Sequence, residues 1–400
     1  MKVRTLRKIS QLLSLFLFFY LLHRTVFPLK TFIPVNIFLR TDPFLALLSL
    51  AGSLSSLIYF VPAGVLLVLT LIMGRFFCGW LCPLGTMCDG IGHFSINKPL
   101  REGLRRIKFS LLILSLMLAL FGLQLGGYGD PLTILSRTFS LLPHYPSFIF
   151  LVVILSLNII QRRFWCRNLC PLGGLLALFS KFSVLELRFH KECTDCGVCE
   201  KLCPTGALIE PGRAYLKEEC ILCQDCIYLC PRRLCEFTWS RPTLKYESGI
   251  SRREFLASLG TGILFPILYH GIRRRQGYAS ILPPGSMTRA KLFSQCIHCG
   301  NCVKVCVTKG LRLSGLEEGL ECIQTPRLHP RLGQCEYNCN LCGRVCPVGA
   351  ITELSIEDKR MLKIGVACID KSLCLPWARN TNCLVCEEMC PVPEKAIGLN

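Results

Sequence analysis

Two cysteine runs carry the most specific chemistry in this 400-residue chain. They are Cys193, Cys196, Cys199 and Cys203-Pro204, then Cys220, Cys223, Cys226 and Cys230-Pro231. A [4Fe–4S] cube takes one thiolate per iron. Three cysteines spaced by two residues wrap three irons, and the fourth ligand comes from the partner run. The spacing therefore assigns Cys193, Cys196, Cys199 and Cys230 to one cube, and Cys220, Cys223, Cys226 and Cys203 to another. Structural zinc sites pair two CxxC elements and do not repeat this longer pattern. The chemistry is electron transfer.

Three further runs follow. Cys296, Cys299, Cys302 and Cys306 keep the same spacing, with Val307 in place of proline. Cys335, Cys339, Cys342 and Cys346-Pro347 form the next, and Cys374, Cys383, Cys386 and Cys390-Pro391 the last. Exchange between the last two runs would give Cys335, Cys339, Cys342 and Cys390 on one cube and Cys374, Cys383, Cys386 and Cys346 on another. The run at 296 is then left over, so that either Cys306 closes its own cube or a partner run lies past Asn400. Cys88, Cys235, Cys322 and Cys368 fit no run and are read as structural.

A second pattern is a pair of CxxxCP elements, Cys78/Cys82-Pro83 and Cys166/Cys170-Pro171, each preceded at the same interval by an Asp–Pro step, Asp42-Pro43 and Asp130-Pro131. Arg75-Phe76-Phe77-Cys78 matches Arg163-Phe164-Trp165-Cys166, so a unit of 88 residues is duplicated. Cysteines at i and i+4 share a helix face, and the two pairs could offer four thiolates to one metal or cluster, or form a thiol–disulfide couple. The plain alternative is a helix-end turn with cysteine as a small apolar residue. Asp42 and Asp130 fall on the outer face and are candidate proton acceptors for a quinol, against a simple role as helix starts.

These residues need a scaffold. The chain is 51% hydrophobic with a mean hydropathy of +0.45, and the excess lies in the first 180 residues. Four apolar stretches, about 9–28, 57–76, 107–125 and 147–163, are long enough to cross about 30 Å of hydrocarbon as helices. The segment 43–56 reads as interfacial or re-entrant. Basic residues cluster at the N-terminus (Lys2, Arg4, Arg7, Lys8), after the second stretch (Lys98, Arg101, Arg105, Arg106, Lys108) and after the fourth (Arg162, Arg163, Arg167, Lys181). The positive-inside rule then puts both ends of this module in the cytoplasm. The 28 cysteines stand at ligand spacing, so thiols must meet iron in a reducing compartment rather than oxidise to disulfides. The net charge of +20 belongs to membrane boundaries and cluster surroundings, and nucleic acid is excluded as a partner.

The expected architecture is an α-helical transmembrane module of four helices in a duplicated pair (1–185), followed by α+β ferredoxin-like cluster domains: two clusters at 186–240 and a polyferredoxin domain at 281–400. Between them, 241–280 holds a linker and Ser251-Arg252-Arg253-Glu254-Phe255-Leu256, a twin-arginine pattern opening an uncleaved anchor. Arg273-Arg274-Arg275 just beyond it runs against the positive-inside rule.

Residues 1–240 resemble the membrane ferredoxin of periplasmic nitrate reductase and methylamine-utilisation systems, the NapH/MauN type, through Thr41-Asp42-Pro43, both CxxxCP elements and the double ferredoxin run. Residues 251–400 resemble its exported partner, the NapG/MauM type, through the twin arginines, Pro283-Pro284-Gly285 and the run at 296. The resemblance implies a fused quinol dehydrogenase component in a bacterial or archaeal cytoplasmic membrane. Its cofactors would be [4Fe–4S] clusters and its substrate quinol. The clusters of 193–230 would be cytoplasmic, and the exported C-terminal domain would pass electrons to a periplasmic reductase or cytochrome. The alternative is an assembly factor that delivers electrons to a metal or thiol of a respiratory enzyme.

Overall fold

The computed structural model describes residues 2–52, 54–96, 102–141, 145–190, 193, 196–210, 214–232, 234–240, 251–272, 281–286, 288–315, 319, 322–390 and 392–397. The linker 241–250, Arg273 to Arg275, Lys98, Arg101 and Pro391 lie outside the described residues.

The first half is helical: α1 (Lys2–His23), α2 (Pro43–Gly52), α3 (Val61–Met73), α4 (Phe76–Trp80), α5 (Pro83–Ile91), α6 (Ile107–Leu120), α7 (Pro131–Ser140), α8 (Tyr145–Ile160), α9 (Phe164–Asn168) and α10 (Pro171–Ser180). The duplication is structural: α2, α4 and α5 recur as α7, α9 and α10, offset by the period of the sequence. Proline opens α2, α5, α7 and α10. Its fixed φ and missing N–H suit the first helical turn and nothing deeper. Among the described residues only α1 is by itself long and apolar enough to cross a membrane, while Pro43–Gly52, Leu57–Met73, Pro146–Ile160 and Pro171–Ser180 are shorter apolar helices. The second and third expected stretches are thus trimmed to 61–73 and 107–120, and the re-entrant reading of 43–56 becomes a ten-residue helix.

Two small domains cap this bundle. In the first, β1 (Leu185–Phe189) pairs antiparallel with β4 (Cys235–Trp239), and β2 (Leu208–Glu210) with β3 (Ala214–Tyr215). The two cysteine runs lie between the strands. In the second, β5 (Leu311–Leu313) pairs with β6 (Pro326–Leu328), extended by a bridge from Ile281 to Leu328. The chain travels from one to the other along α11 (Arg252–Ile272), which packs against α6. Arg106 pairs with Glu254 at 3.8 Å, and a Cβ on Gly262 would lie 2.6 Å from Met117. The two helices therefore run in the same direction. The twin-arginine pattern is also a capping box: Glu254 N–H donates to Ser251 Oγ at 3.2 Å, and Ser251 N–H to Glu254 Oε2 at 3.0 Å.

Candidate electron-transfer sites

The runs share one loop geometry. The residue after the second cysteine takes a positive φ in three of them, at Gly197, Gln224 and Gly300. The third residue after the fourth cysteine does so at Gly206, Lys309 and Gly349. Val307 therefore leaves the turn after Cys306 intact. Amide-to-thiol bonds recur there too: Ala207 N–H to Cys203 Sγ at 3.2 Å, Leu234 N–H to Cys230 Sγ at 3.4 Å and Ile351 N–H to Cys346 Sγ at 3.5 Å. Such donors stabilise thiolate on iron, so the loops fit the cluster their spacing implies. Burial pushes the thiols of Cys220, Cys299 and Cys342 each up to about 12, so iron must displace protons to enter.

The grouping of cysteines follows exchange for one cube of the first domain and departs from expectation in the second. One cavity is lined by Cys220, Cys223, Cys226 and Cys203, the set assigned from spacing. Its counterpart in the second domain is lined by Cys335, Cys339, Cys342 and Cys306, and Cys346 lies within electrostatic reach of Cys296, Cys299 and Cys302. The run at 296 thus exchanges with the run at 335, not the run at 335 with the run at 374. The reason is packing: the helical turns Asn301–Val305 and Leu341–Arg344 lie against each other. Cys374, Cys383, Cys386 and Cys390 form a separate loop at the surface, with Cys386 exposed. Among the unassigned cysteines, Cys235 is buried with its Sγ donating to Cys226 O at 3.2 Å, Cys88 and Cys322 are buried, and Cys368 is exposed.

The CxxxCP pairs are not two positions on one helix face. Cys78 and Cys166 lie inside α4 and α9, whereas Cys82 and Cys170 are the N-caps of α5 and α10. Proline cannot continue the short helix, so the chain turns and restarts. Cys82 Sγ accepts from Gly85 N–H at 3.4 Å and Cys170 Sγ from Gly173 N–H at 3.2 Å. All four thiols are buried and within electrostatic reach of one another. Cys88 hydrogen-bonds Cys166 beside them.

Two buried arginines tie the repeats together crosswise. Arg163 of the second repeat donates to Cys78 O at 2.6 Å and Gly85 O at 3.3 Å in the first, and pairs with Asp89 at 2.5 and 2.7 Å. Arg75 of the first donates to Cys166 O at 3.4 Å in the second. Its counter-ion is Glu219 at 2.8 Å, supplied by the first ferredoxin domain, and Glu219 also binds Lys108. Sequence reading missed the role of α1. Arg7, Ser10, Gln11 and Ser14 line one face and donate to the carbonyls of Gly79, Trp80 and Leu81, which the interrupted helix leaves open. Polar residues at helical spacing within an apolar stretch were the available signal.

Asp42 and Asp130 do not face outward. Both are fully buried and cap α2 and α7: Asp42 Oδ1 accepts from Phe44 N–H at 2.8 Å, and Asp130 Oδ2 from Thr133 N–H at 2.7 Å. Their other oxygens have no further partner and the two carboxyls adjoin each other. The Asp–Pro steps start helices whose first turns point into the bundle, which is why the carboxyls are sealed inside. A laterally open apolar groove of about 780 Å³ lies between α1 and α3. Its wall includes Thr41, next to Asp42, and Phe77 and Leu81, which flank the CxxxCP cysteines. Among the described residues no group of three or more His, Cys, Asp or Glu is placed to hold a single metal ion, and this covers the ferredoxin runs as well as the CxxxCP thiols.

Comparison with known proteins agrees with this chemistry. A 4Fe-4S binding domain model matches residues 56–108, 143–190 and 342–363, and a 4Fe-4S dicluster domain model matches 180–249. An uncharacterised protein of Methanocaldococcus jannaschii is 31% identical over 252 residues, 60% of this chain and 97% of that protein. The ferredoxin-type protein NapH of Haemophilus influenzae is 25% identical, covering 50% of this chain and 75% of NapH. The methylamine utilization ferredoxin-type protein MauN of Paracoccus denitrificans is 30% identical, covering 39% and 57%. The chain belongs to this family of iron–sulfur electron-transfer proteins. No solved structure matches it. The likeness of 251–400 to an exported partner rests on its motifs alone.

Proposed function

We propose that the protein is a membrane electron conduit that oxidises a quinol and passes its electrons through the clusters to an acceptor outside the cytoplasm, a periplasmic reductase or cytochrome. The observation that carries this reading is the groove between α1 and α3. It is open at the side, with Leu6, Ile9, Leu13, Val61 and Val65 exposed along its rim, as an entrance from lipid requires. Its wall holds Thr41, Phe77 and Leu81, the chain neighbours of Asp42, Cys78 and Cys82. A quinol gives up two protons and two electrons. The Asp42–Asp130 pair can hold a proton between its facing oxygens, since two adjoining buried carboxyls cannot both stay ionised. In this reading the helical module spans the bilayer, the 193–230 domain faces the cytoplasm, and α11 leads the 281–400 domain to the other side as an uncleaved anchor.

The test is anaerobic addition of menaquinol to the purified protein in lipid nanodiscs, following the visible absorbance of the clusters. Asp42→Asn should slow quinol-driven reduction by about 100-fold, the scale of general acid–base catalysis. Reduction by dithionite and the iron content should stay unchanged. Equal quinol rates in the variant and the parent would remove the carboxyl pair from the mechanism. No reduction of the parent by any quinol would remove the quinol reading.

A further inference from the structure

The buried cations that hold the helical module together are matched by carboxylates. Arg75 and Lys108 share Glu219, and Arg163 and Arg7 share Asp89. Arg137 and Arg40 break this pattern, for neither forms an ion pair with a carboxylate among the described residues. Arg137, in α7, is fully buried, lies 4.3 Å from the centre of the Tyr128 ring and donates from Nη1 to Gln324 Oε1 at 3.3 Å. Arg40 ends the helical turn Ile37–Arg40. It is half-buried and lies 5.1 Å from the centre of the Tyr59 ring, and its Nε is sealed from solvent without a hydrogen-bond partner. An aromatic face offsets only part of the cost of burying a cation.

Both arginines face the same cluster loops. Ser136 Oγ–H, one residue before Arg137, donates to Cys299 O at 3.3 Å, and the His298 ring lies 5.4 Å from that of Tyr128. On the other flank Asn36 Nδ2–H donates to Val345 O at 3.2 Å, and a Cβ on Gly349 would lie 2.8 Å from the Tyr59 ring. Arg137 is thus within electrostatic reach of Cys299, and Arg40 of Cys346. The carboxyls in the same reach are engaged elsewhere: Asp130 caps α7 beside Asp42, and Glu353 pairs with Arg344 at 3.5 Å.

We propose that Arg40 and Arg137 are the counter-ions of the cube held by Cys296, Cys299, Cys302 and Cys346, and that they raise its reduction potential so that electrons collect at the second ferredoxin domain. The proposal rests on cluster ligation by these four cysteines and not on quinol as donor. A cube on four thiolates is anionic, and a buried cation without a carboxylate needs an anion. On reduction the cube gains one electron from a neighbouring cluster and one unit of negative charge; no bond forms or breaks, and no proton moves. Two unpaired guanidinium groups favour that extra charge. The cations that face the loop of Cys220 and Cys223 in the first domain cannot do the same. Arg75 is neutralised by Glu219, and Arg7 by Asp89 and Asp225. Nor are the two arginines a by-product of the duplication. Arg40 stands where the second repeat has Tyr128, and Arg137 where the first has Ser49. Each charge was placed separately, on the part of its repeat that meets this cube.

The test is a redox titration of the full-length protein, purified anaerobically and followed by EPR. The signal of this cube is the one that Cys346→Ser perturbs. Arg137→Gln and Arg40→Gln should each move its reduction equilibrium about tenfold toward the oxidised form, a fall of about 59 mV for one electron. The signals of the other cubes should keep their midpoints. Arg137→Lys and Arg40→Lys retain the charge and should hold the parental midpoint, which a purely structural role for the guanidinium would not require. A parental midpoint in either Gln variant would overturn the proposal, and so would equal shifts in the Gln and Lys variants. If Arg137→Gln does not fold or loses this cube, Arg40→Gln decides alone, because Arg40 is only half-buried.

Discussion

At the scale of residues, the least forgiving position is Glu219. It is buried between Arg75 and Lys108 and is the only carboxylate paired with either among the described residues. Removing one member of a buried ion network leaves uncompensated charge and costs about 3–5 kcal/mol. Glu219→Gln should therefore lower stability by that amount in chemical unfolding, whereas Glu357→Gln at an exposed position should not. The exchange of ligands is testable too. Cys346→Ser should perturb the EPR signal of the cube held by Cys296, Cys299 and Cys302, and leave the one at Cys335, Cys339 and Cys342 in place. The ligand types were legible in the sequence because spacing alone encodes a wrapping loop. The partner of each run was not. Val307 made the run at 296 look degenerate, yet the turn survives because Lys309 takes the left-handed conformation itself.

At the scale of elements, the duplication was plain in the repeated CxxxCP and Asp–Pro landmarks, and α2, α4 and α5 recur as it requires. What spacing misjudged was direction. The i,i+4 argument treats CxxxCP as one helix, but proline ends the first helix and starts a second, so the paired thiols come from a helix interior and a helix cap. The positive-inside topology placed the aspartates at an outer face, whereas they cap helices that begin inside. Docking of the first ferredoxin domain depends on bare backbone at Gly79. Gly79→Ala forces a Cβ against Ile221 O and should cost about 1–3 kcal/mol. Hydrogen–deuterium exchange should rise across 217–223. Gly90→Ala, where nothing lies within 4 Å, should leave both unchanged.

At the scale of the whole molecule, α11 decides where the last domain sits. It lies parallel to α6 with Gly262 against Met117, so the segment read as an export signal is also a structural strut. Gly262→Leu should lower the thermal midpoint measured in one detergent, by the equivalent of about 1–3 kcal/mol. Gly260→Leu, facing open space, should not. The strut was only partly readable, because its glycines and Pro266 dilute the apolar signal that marks α1. The crosswise arginines have a historical corollary. Each repeat closes its thiol turn with a guanidinium borrowed from the other, so one repeat alone leaves that turn open. A single unit could close its turn only against a second copy, and two copies in one chain are free to differ. Ala177 now stands where the first unit keeps Asp89, and the missing acid is met by Glu219 from the appended domain.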